Sequence, residues 1–255
     1  MEFVEVTRDG AVAVVRLNRP PVNALSEQLA TELDQAFVEC EAPDIRAVVV
    51  TGQPHFAAGA DIKGFKETFD SGGRETTAST LLGAIARLDS LAKPTIAAVH
   101  GYALGGGCEL SLGCDFRYMA EDSKIGQPEI LLGLIPGAGG TQRLQRVVGF
   151  QTAKELVYTG RQVGAEEARA IGYADRVLPS DEVLDAALED AAEWATKATL
   201  AIAEAKKALA AGRGVPLEDA LAIEQEGFQA TFATDDAVEG VNAFIEKREA
   251  EFKGK

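Results

Sequence analysis

The chain has 255 residues, 46% of them hydrophobic, and carries 25 Lys and Arg against 40 Asp and Glu, a formal net charge of −15 at pH 7. That length fits one α/β domain with an appendage, and the apolar share suffices for a sizeable core. The acidic balance argues against nucleic acid or an anionic membrane as partner, since both need clustered positive charge. A small anionic ligand is still admitted, because a few basic side chains and backbone N–H groups are enough to hold one. Cys40, Cys108 and Cys114 form no C-x-x-C pair, and their odd number reads as reduced thiols. The two histidines, His55 and His100, are too isolated for a His-rich metal site, so no metal is expected. Residues 1–10 lack a basic start followed by an apolar run, and no stretch has bilayer-spanning length. The expected location is cytoplasmic, with no membrane partner.

In chain order, residues 2–7 and 11–17 are rich in Val and Leu and flank Asp9-Gly10, a hairpin signal. Asn18-Arg19-Pro20-Pro21 ends the second strand. Ser26 is placed to cap a helix in which Leu29, Leu33 and Phe37 recur every four residues. Residues 46–51 are a continuous apolar run, the pattern of a strand buried on both faces. Residues 74–92 predict a helix with Leu81, Leu82, Ile85 and Leu88 on one side. Residues 95–99 form another buried strand, and 115–119 and 174–178 are further strands. The segment from Gly64 to Thr80, rich in Gly, Ser and Thr, reads as a loop. Buried strands alternating with amphipathic helices indicate α/β. Beyond about residue 180 only helical patterns remain, broken at Gly212-Arg213-Gly214 and near Thr234. The last helix has Thr234 as cap, Asp235 and Asp236 in its first turn, and Lys247 and Arg248 in its last. Its apolar stripe is Val238, Val241, Phe244 and Ile245, suited either to the core or to a subunit contact.

Three segments carry unusual backbone freedom. The first is Phe56-Ala57-Ala58-Gly59-Ala60-Asp61-Ile62-Lys63, whose small side chains let a ligand reach the main chain. In the second, Gly105-Gly106-Gly107-Cys108-Glu109-Leu110, three glycines open onto a helix start whose N–H groups favour negative charge. The third is Gly126-Gln127-Pro128-Glu129, followed by Pro136-Gly137-Ala138-Gly139-Gly140-Thr141. Glu109 and Glu129, brought into one apolar pocket, divide labour: one keeps its proton and the other loses it. Other catalytic motifs fail on spacing. There is no G-x-x-x-x-G-K-[ST]; Gln142 stands where G-x-G-x-x-G needs glycine; Ser111 lies outside any G-x-S-x-G; no H-E-x-x-H occurs.

Residues 57–63, 96–110, 126–130 and 136–144, with the C-terminal segments 232–236 and 244–248, together resemble the enoyl-CoA hydratase (crotonase) family, in order and over nearly the whole chain. The resemblance implies a crotonase spiral of ββα units, divided here into a core of residues 1–195 and a helical segment of 196–255 for assembly. It implies a cofactor-independent enoyl-CoA hydratase of fatty-acid β-oxidation, with coenzyme A entering as part of the substrate, and a homohexamer built as a dimer of trimers. The family's catalytic glutamates match Glu109 and Glu129, and its oxyanion-hole N–H donors match Ala60 and Gly106. Gly137 matches a position lining the water site. Ala58, Asp61, Ile62 and Lys63 match the segment that holds coenzyme A. Phe244 and Lys247 match C-terminal positions that reach it from a neighbouring subunit.

The chemistry of the residues agrees. Water added to a trans-2-enoyl thioester puts charge on the thioester oxygen, where fixed N–H donors stabilise the transition state most. Glu109 is assigned as base and Glu129 as acid, although a coupled pair titrates as a unit and sequence leaves the direction open. Two other readings stand beside this one. An enoyl-CoA isomerase needs only one carboxylate to shuttle a proton. A non-catalytic acyl-CoA-binding protein would be expected to have lost one of the two glutamates, and neither is lost.

Overall fold

A computed structural model describes residues 1–72 and 77–255. Strands β1 (Val4–Asp9) and β2 (Val12–Leu17) form the expected antiparallel hairpin, with Asp9 opposite Val12. Helix α1 (Glu27–Glu39) starts at Ser26, whose hydroxyl accepts from the Leu29 N–H. Strand β3 (Ala47–Gly52) is buried throughout. Strands β4 (Thr95–Val99), β6 (Phe116–Ala120) and β9 (Arg176–Leu178) complete a six-stranded sheet in the order β1-β2-β3-β4-β6-β9, parallel from β2 onward. Three short strands, β5 (Tyr102–Leu104), β7 (Lys124–Gly126) and β8 (Gln162–Gly164), make a second sheet.

The strand residues alternate between two cores, as a pleated sheet requires. Val48 and Val50 of β3 face the larger core with Leu29, Leu33 and Phe37 of α1 and Leu81, Ile85 and Leu88 of α3 (Thr77–Ser90). Ala47 and Val49 face the other side, covered by Val183, Ala187 and Ala191 of α8 (Val183–Ala195). The small residues of α8 let it lie close against the sheet. This sandwich fixes the C-terminal ends of the parallel strands, from which the site loops emerge.

Several expectations need correction. The segment from Gly64 to Thr80 is not a continuous loop, because α2 (Ile62–Asp70) occupies its first part. Asp61 caps that helix by accepting from the Lys63 N–H, an N-cap whose strength the run of small residues concealed. Residues 73–76 lie outside the described residues, so the expected helix is described only from Thr77 to Ser90. Leu82 does not share the buried face of α3: it is 41% exposed, one residue past the stripe of Leu81, Ile85 and Leu88.

Helices α4 (Gly106–Leu112), α5 (Gly140–Val148), α6 (Phe150–Thr159) and α7 (Ala165–Ala170) lie between the sheet strands, and a 3-10 turn spans Pro128–Leu132. The C-terminal helices are α9 (Thr199–Ala211), α10 (Leu217–Phe232) and α11 (Asp235–Glu246), with breaks where the sequence places them. Thr234 caps α11 by accepting from the Ala237 N–H. Lys247 is not in the last turn. It is the left-handed residue that ends the helix, and Arg248 beyond it pairs with Glu239 and Glu246. The stripe of Val238, Val241, Phe244 and Ile245 is exposed on the single chain, so it is not core. Among the described residues, no helix is long and apolar enough to cross a membrane.

Candidate active site

The site forms where two segments meet. Ala57 pairs with Ala103 in a parallel bridge, and the Leu104 N–H donates to the Ala57 carbonyl. This brings residues 58–60 alongside the start of α4. The approach is so close that a Cβ on Gly107 would sit 2.1 Å from the Ala57 oxygen, so only glycine fits there. On its other side, residues 59–61 lie beside Leu25. The Leu25 N–H donates to the Gly59 carbonyl, and the Leu25 carbonyl accepts from Asp61. In such a bridge the intervening residue directs its own N–H the opposite way. Ala60, which lines the cavity, therefore aims its N–H away from Leu25. Gly106 is the first residue of α4, so its N–H has no partner within the helix. Among the described residues, neither N–H meets a protein acceptor.

The cavity between them measures about 340 Å³. Leu25, Leu81, Leu132, Leu134 and Ile135 give it an apolar wall, and Glu109 and Glu129 are its acidic groups among the described residues. Glu109 is 2% exposed. Its Oε1 accepts from the N–H groups of Ala138 and Gly140, each at 2.7 Å. Gly140 opens α5, so a helix N-terminus holds this carboxylate in place. The second oxygen is left for a ligand. Burial raises the Glu109 pKa; the two N–H bonds and the Arg143 charge pull against that rise.

Glu129 follows Pro128 in the 3-10 turn and faces the N-cap of α4. Its Oε1 lies 2.9 Å from where a Gly105 Cβ would stand, and Gly105 has φ +52°, so that position excludes a side chain twice over. Burial pushes the Glu129 carboxyl up to about 7, with the charge of Glu109 adding to the effect. The pair is thus asymmetric. Glu109 has two fixed backbone donors on one oxygen to support its anion, whereas burial dominates at Glu129, which also stands beside a neighbouring negative charge.

Gln127 is fully buried, and sequence reasoning assigned it no role. With its amide oriented to suit its neighbours, its NH2 reaches the two Glu129 oxygens at 3.1 and 3.2 Å. The backbone donors of Ala138 and Gly140 were also missed. Their signal was the Gly139-Gly140 step opening α5, where free N–H groups have to find an acceptor.

Ala58, Ala60, Ile62, Gly106 and Gly137 line the cavity with the two glutamates. Asp61 and Lys63 line the groove beside it, which Arg19 and Ser26 extend. The Asp61 carboxylate is already committed: it caps α2 and takes the Arg19 guanidinium at 2.7 Å, which holds its carboxyl below the usual range. Phe244 and Lys247 are not brought to the cavity within one chain, and Phe244 is 86% exposed.

Known proteins are similar to this chain along nearly its whole length. The model of the family Enoyl-CoA hydratase/isomerase matches residues 7–255. A short-chain-enoyl-CoA hydratase of Clostridium acetobutylicum is 41% identical over 254 residues, covering 97% of this chain and 96% of that protein. The 2,3-dehydroadipyl-CoA hydratase of Escherichia coli is 42% identical over 261 residues, covering all of both chains. The crystal structure of an enoyl-CoA hydratase from Bacillus anthracis superposes with a TM-score of 0.92 at 37% identity, covering 99% of this chain and 100% of that one. The expected crotonase fold with its helical C-terminal part is therefore present, and the chain belongs to the enoyl-CoA hydratase/isomerase family.

Proposed function

We propose that this chain is an enoyl-CoA hydratase, adding water to a trans-2-enoyl-CoA to give a 3-hydroxyacyl-CoA. One observation carries the reading. Ala60 and Gly106, whose N–H groups meet no protein acceptor among the described residues, line one apolar cavity with two carboxyl groups of unequal proton affinity. The thioester oxygen accepts from Ala60 and Gly106, which leaves the double bond between the glutamates. Glu109 takes a proton from water through its free oxygen as the water oxygen bonds to Cβ. The π electrons move onto the thioester oxygen, where the two donors are worth most. Glu129 then gives its proton to Cα as the carbonyl re-forms. The thioester is itself the electron sink, so the route needs no metal or redox cofactor. The reversible product chemistry fits fatty-acid β-oxidation in the cytoplasm. Loss of conjugated enoyl-thioester absorbance with crotonyl-CoA tests the reading. Turnover of a 3-enoyl-CoA with no hydration at any chain length would make the chain an isomerase, and binding without either reaction would make it a carrier.

The pH profile follows from the same pair. Glu109 must be ionised and Glu129 protonated, so kcat/KM is expected to fall as pH rises past about 7, where Glu129 loses its proton. Stability runs the same way. The folded chain binds the Glu129 proton more tightly than the unfolded chain does, so this contribution is full below the unfolded value of 4.5 and is lost as pH rises through about 7. Glu129→Gln is therefore expected to raise Tm at pH 8 while abolishing most activity. A lower Tm at pH 8 in that variant would contradict the assignment.

Residues 1–195 act in this reading as the core and 196–255 as the assembly segment. Support comes from apolar side chains exposed on the C-terminal helices, among them Leu209 of α9, Phe228 and Phe232 of α10, and Phe244 of α11. Covering them in a homohexamer, a dimer of trimers, would bring Phe244 and Lys247 to the coenzyme A of a neighbour. Sedimentation is expected to show a hexamer, with Phe228→Asp giving smaller species; a monomer at micromolar concentration would contradict it.

A further inference from the structure

Behind α4, on the side away from the cavity, lies a buried polar cluster that the hydration chemistry does not use. Tyr173, in the turn between α7 and β9, is wholly buried and places its hydroxyl 2.5 Å from Ser111 Oγ and 3.6 Å from Cys108 Sγ. Ser111 spends its one proton on the Cys108 carbonyl at 2.7 Å. The Tyr173 hydroxyl must therefore be the donor to Ser111. Burial lifts the Tyr173 phenol well above its ordinary range, so it stays a donor at every working pH.

The turn bearing Tyr173 is itself held firmly. The Tyr173 N–H donates to the Ala168 carbonyl, and buried Arg117 of β6 donates to the Tyr173 carbonyl at 2.7 Å. The same guanidinium donates to the Cys114 carbonyl, just past the end of α4, at 2.9 Å. Arg117 thus ties both the turn bearing Tyr173 and the end of α4 to the central sheet.

The geometry around α4 gives this cluster a purpose. At about 100° per residue, Cys108 and Ser111 lie on the face of α4 roughly opposite Gly106 and Glu109. A helix of seven residues has little ladder of its own to fix its rotation. We propose that Tyr173, through its hydrogen bond to Ser111, is a positioning residue that sets the rotation of α4 and so the aim of the Gly106 N–H and the Glu109 carboxylate. The proposal rests on the hydration reading above, because it assigns α4 the task of presenting both groups to the thioester. A rotated α4 would also draw Glu109 Oε1 from the Ala138 and Gly140 N–H groups, leaving its anion less supported.

The test compares the full-length wild type with Tyr173→Phe, Ser111→Ala, the double variant and Tyr118→Phe. Tyr118 donates to Asp190 of α8, across the sheet from the cavity, so its loss costs a part-buried hydrogen bond without touching α4. Tyr173→Phe is expected to lower kcat on crotonyl-CoA roughly tenfold with little change in KM, against the ~100-fold that a full 1 Å misplacement costs. Its acid-side limb of kcat/KM is expected to move to higher pH, as Glu109 loses support. The double variant leaves neither hydroxyl orphaned, so its Tm is expected to recover while kcat stays low. Tyr118→Phe is expected to lose Tm and keep kcat. The proposal is overturned if Tyr173→Phe keeps wild-type kcat and pH profile, or if kcat follows Tm across the whole set. An inactive wild type would count against hydration alone. Hydrogen exchange over residues 104–112 then decides the proposal: faster exchange in Tyr173→Phe than in Tyr118→Phe supports it, and equal exchange overturns it.

Discussion

Glu109→Gln and Glu129→Gln are each expected to lower kcat by roughly 10²–10⁴-fold, the usual worth of a positioned acid or base. The two losses should differ in character. Gln at 109 presents an NH2 or an oxygen to the Ala138 and Gly140 N–H groups that now converge on Oε1. Its oxygen can still accept them, so the loop and fold are kept, but its amide cannot take a proton from water. Gln at 129 removes the proton donor for Cα and also a carboxyl whose ionisation is costly in its apolar setting. The first variant should therefore be inactive with a near-native Tm, and the second inactive with a raised Tm at alkaline pH. Circular dichroism and thermal melts beside the kinetics check both. Turnover within a few fold of wild type in either variant would remove that carboxylate from the mechanism.

The second large effect concerns the oxyanion donors, which are backbone groups and so are not deleted by ordinary substitution. Gly106→Pro removes one of them. Proline suits the first position of a helix, and Gly105 before it has no Cβ to collide with the new ring. Any Cβ at 106 meets the Leu25 and Leu81 methyl groups at 2.8 and 2.9 Å, which are ends of side chains able to shift. Gly106→Ala adds that Cβ and keeps the N–H, so it is the reference. The proline variant is expected to have kcat about 10²–10³-fold below the alanine variant, corresponding to ~2.7–4 kcal/mol for one donor. Equal kcat in the two would mean that the Gly106 N–H does not hold the developing charge.

Much of this site was legible in the sequence because its requirements are local. Gly105 and Gly107 mark places where no side chain fits, Gly106 lies between them, and Glu109 follows at a helix start. Glu129 is marked by the Pro128 step before it. The buried strands 46–51 and 95–99 were legible for a similar reason, being unbroken apolar runs. Where contacts were tertiary, the sequence was silent. Gln127 reads as an ordinary turn residue until folding sets its amide against Glu129. Helix α2 was hidden because Gly64, Ser71 and Gly72 outweighed a cap at Asp61, whose carboxylate is shared with Arg19 from 42 positions earlier. Strands β5, β7 and β8 have three residues each, too few for a period to show. Lys247 was placed inside α11 because charge alone suggested a last turn, whereas the chain turns left-handed there. Tyr173 is the extreme case: its partner Ser111 lies 62 residues away in sequence.

The measurement that bears most directly on the paired-glutamate mechanism is turnover of crotonyl-CoA in ¹⁸O-labelled water by the wild type and by the double variant Glu109→Gln, Glu129→Gln, followed by mass spectrometry of the product. The wild type is expected to give 3-hydroxybutyryl-CoA with one labelled oxygen at C3, and the double variant almost none. Labelled product formed at a wild-type rate by the double variant would contradict the mechanism, and so would a wild type that forms no hydroxylated product.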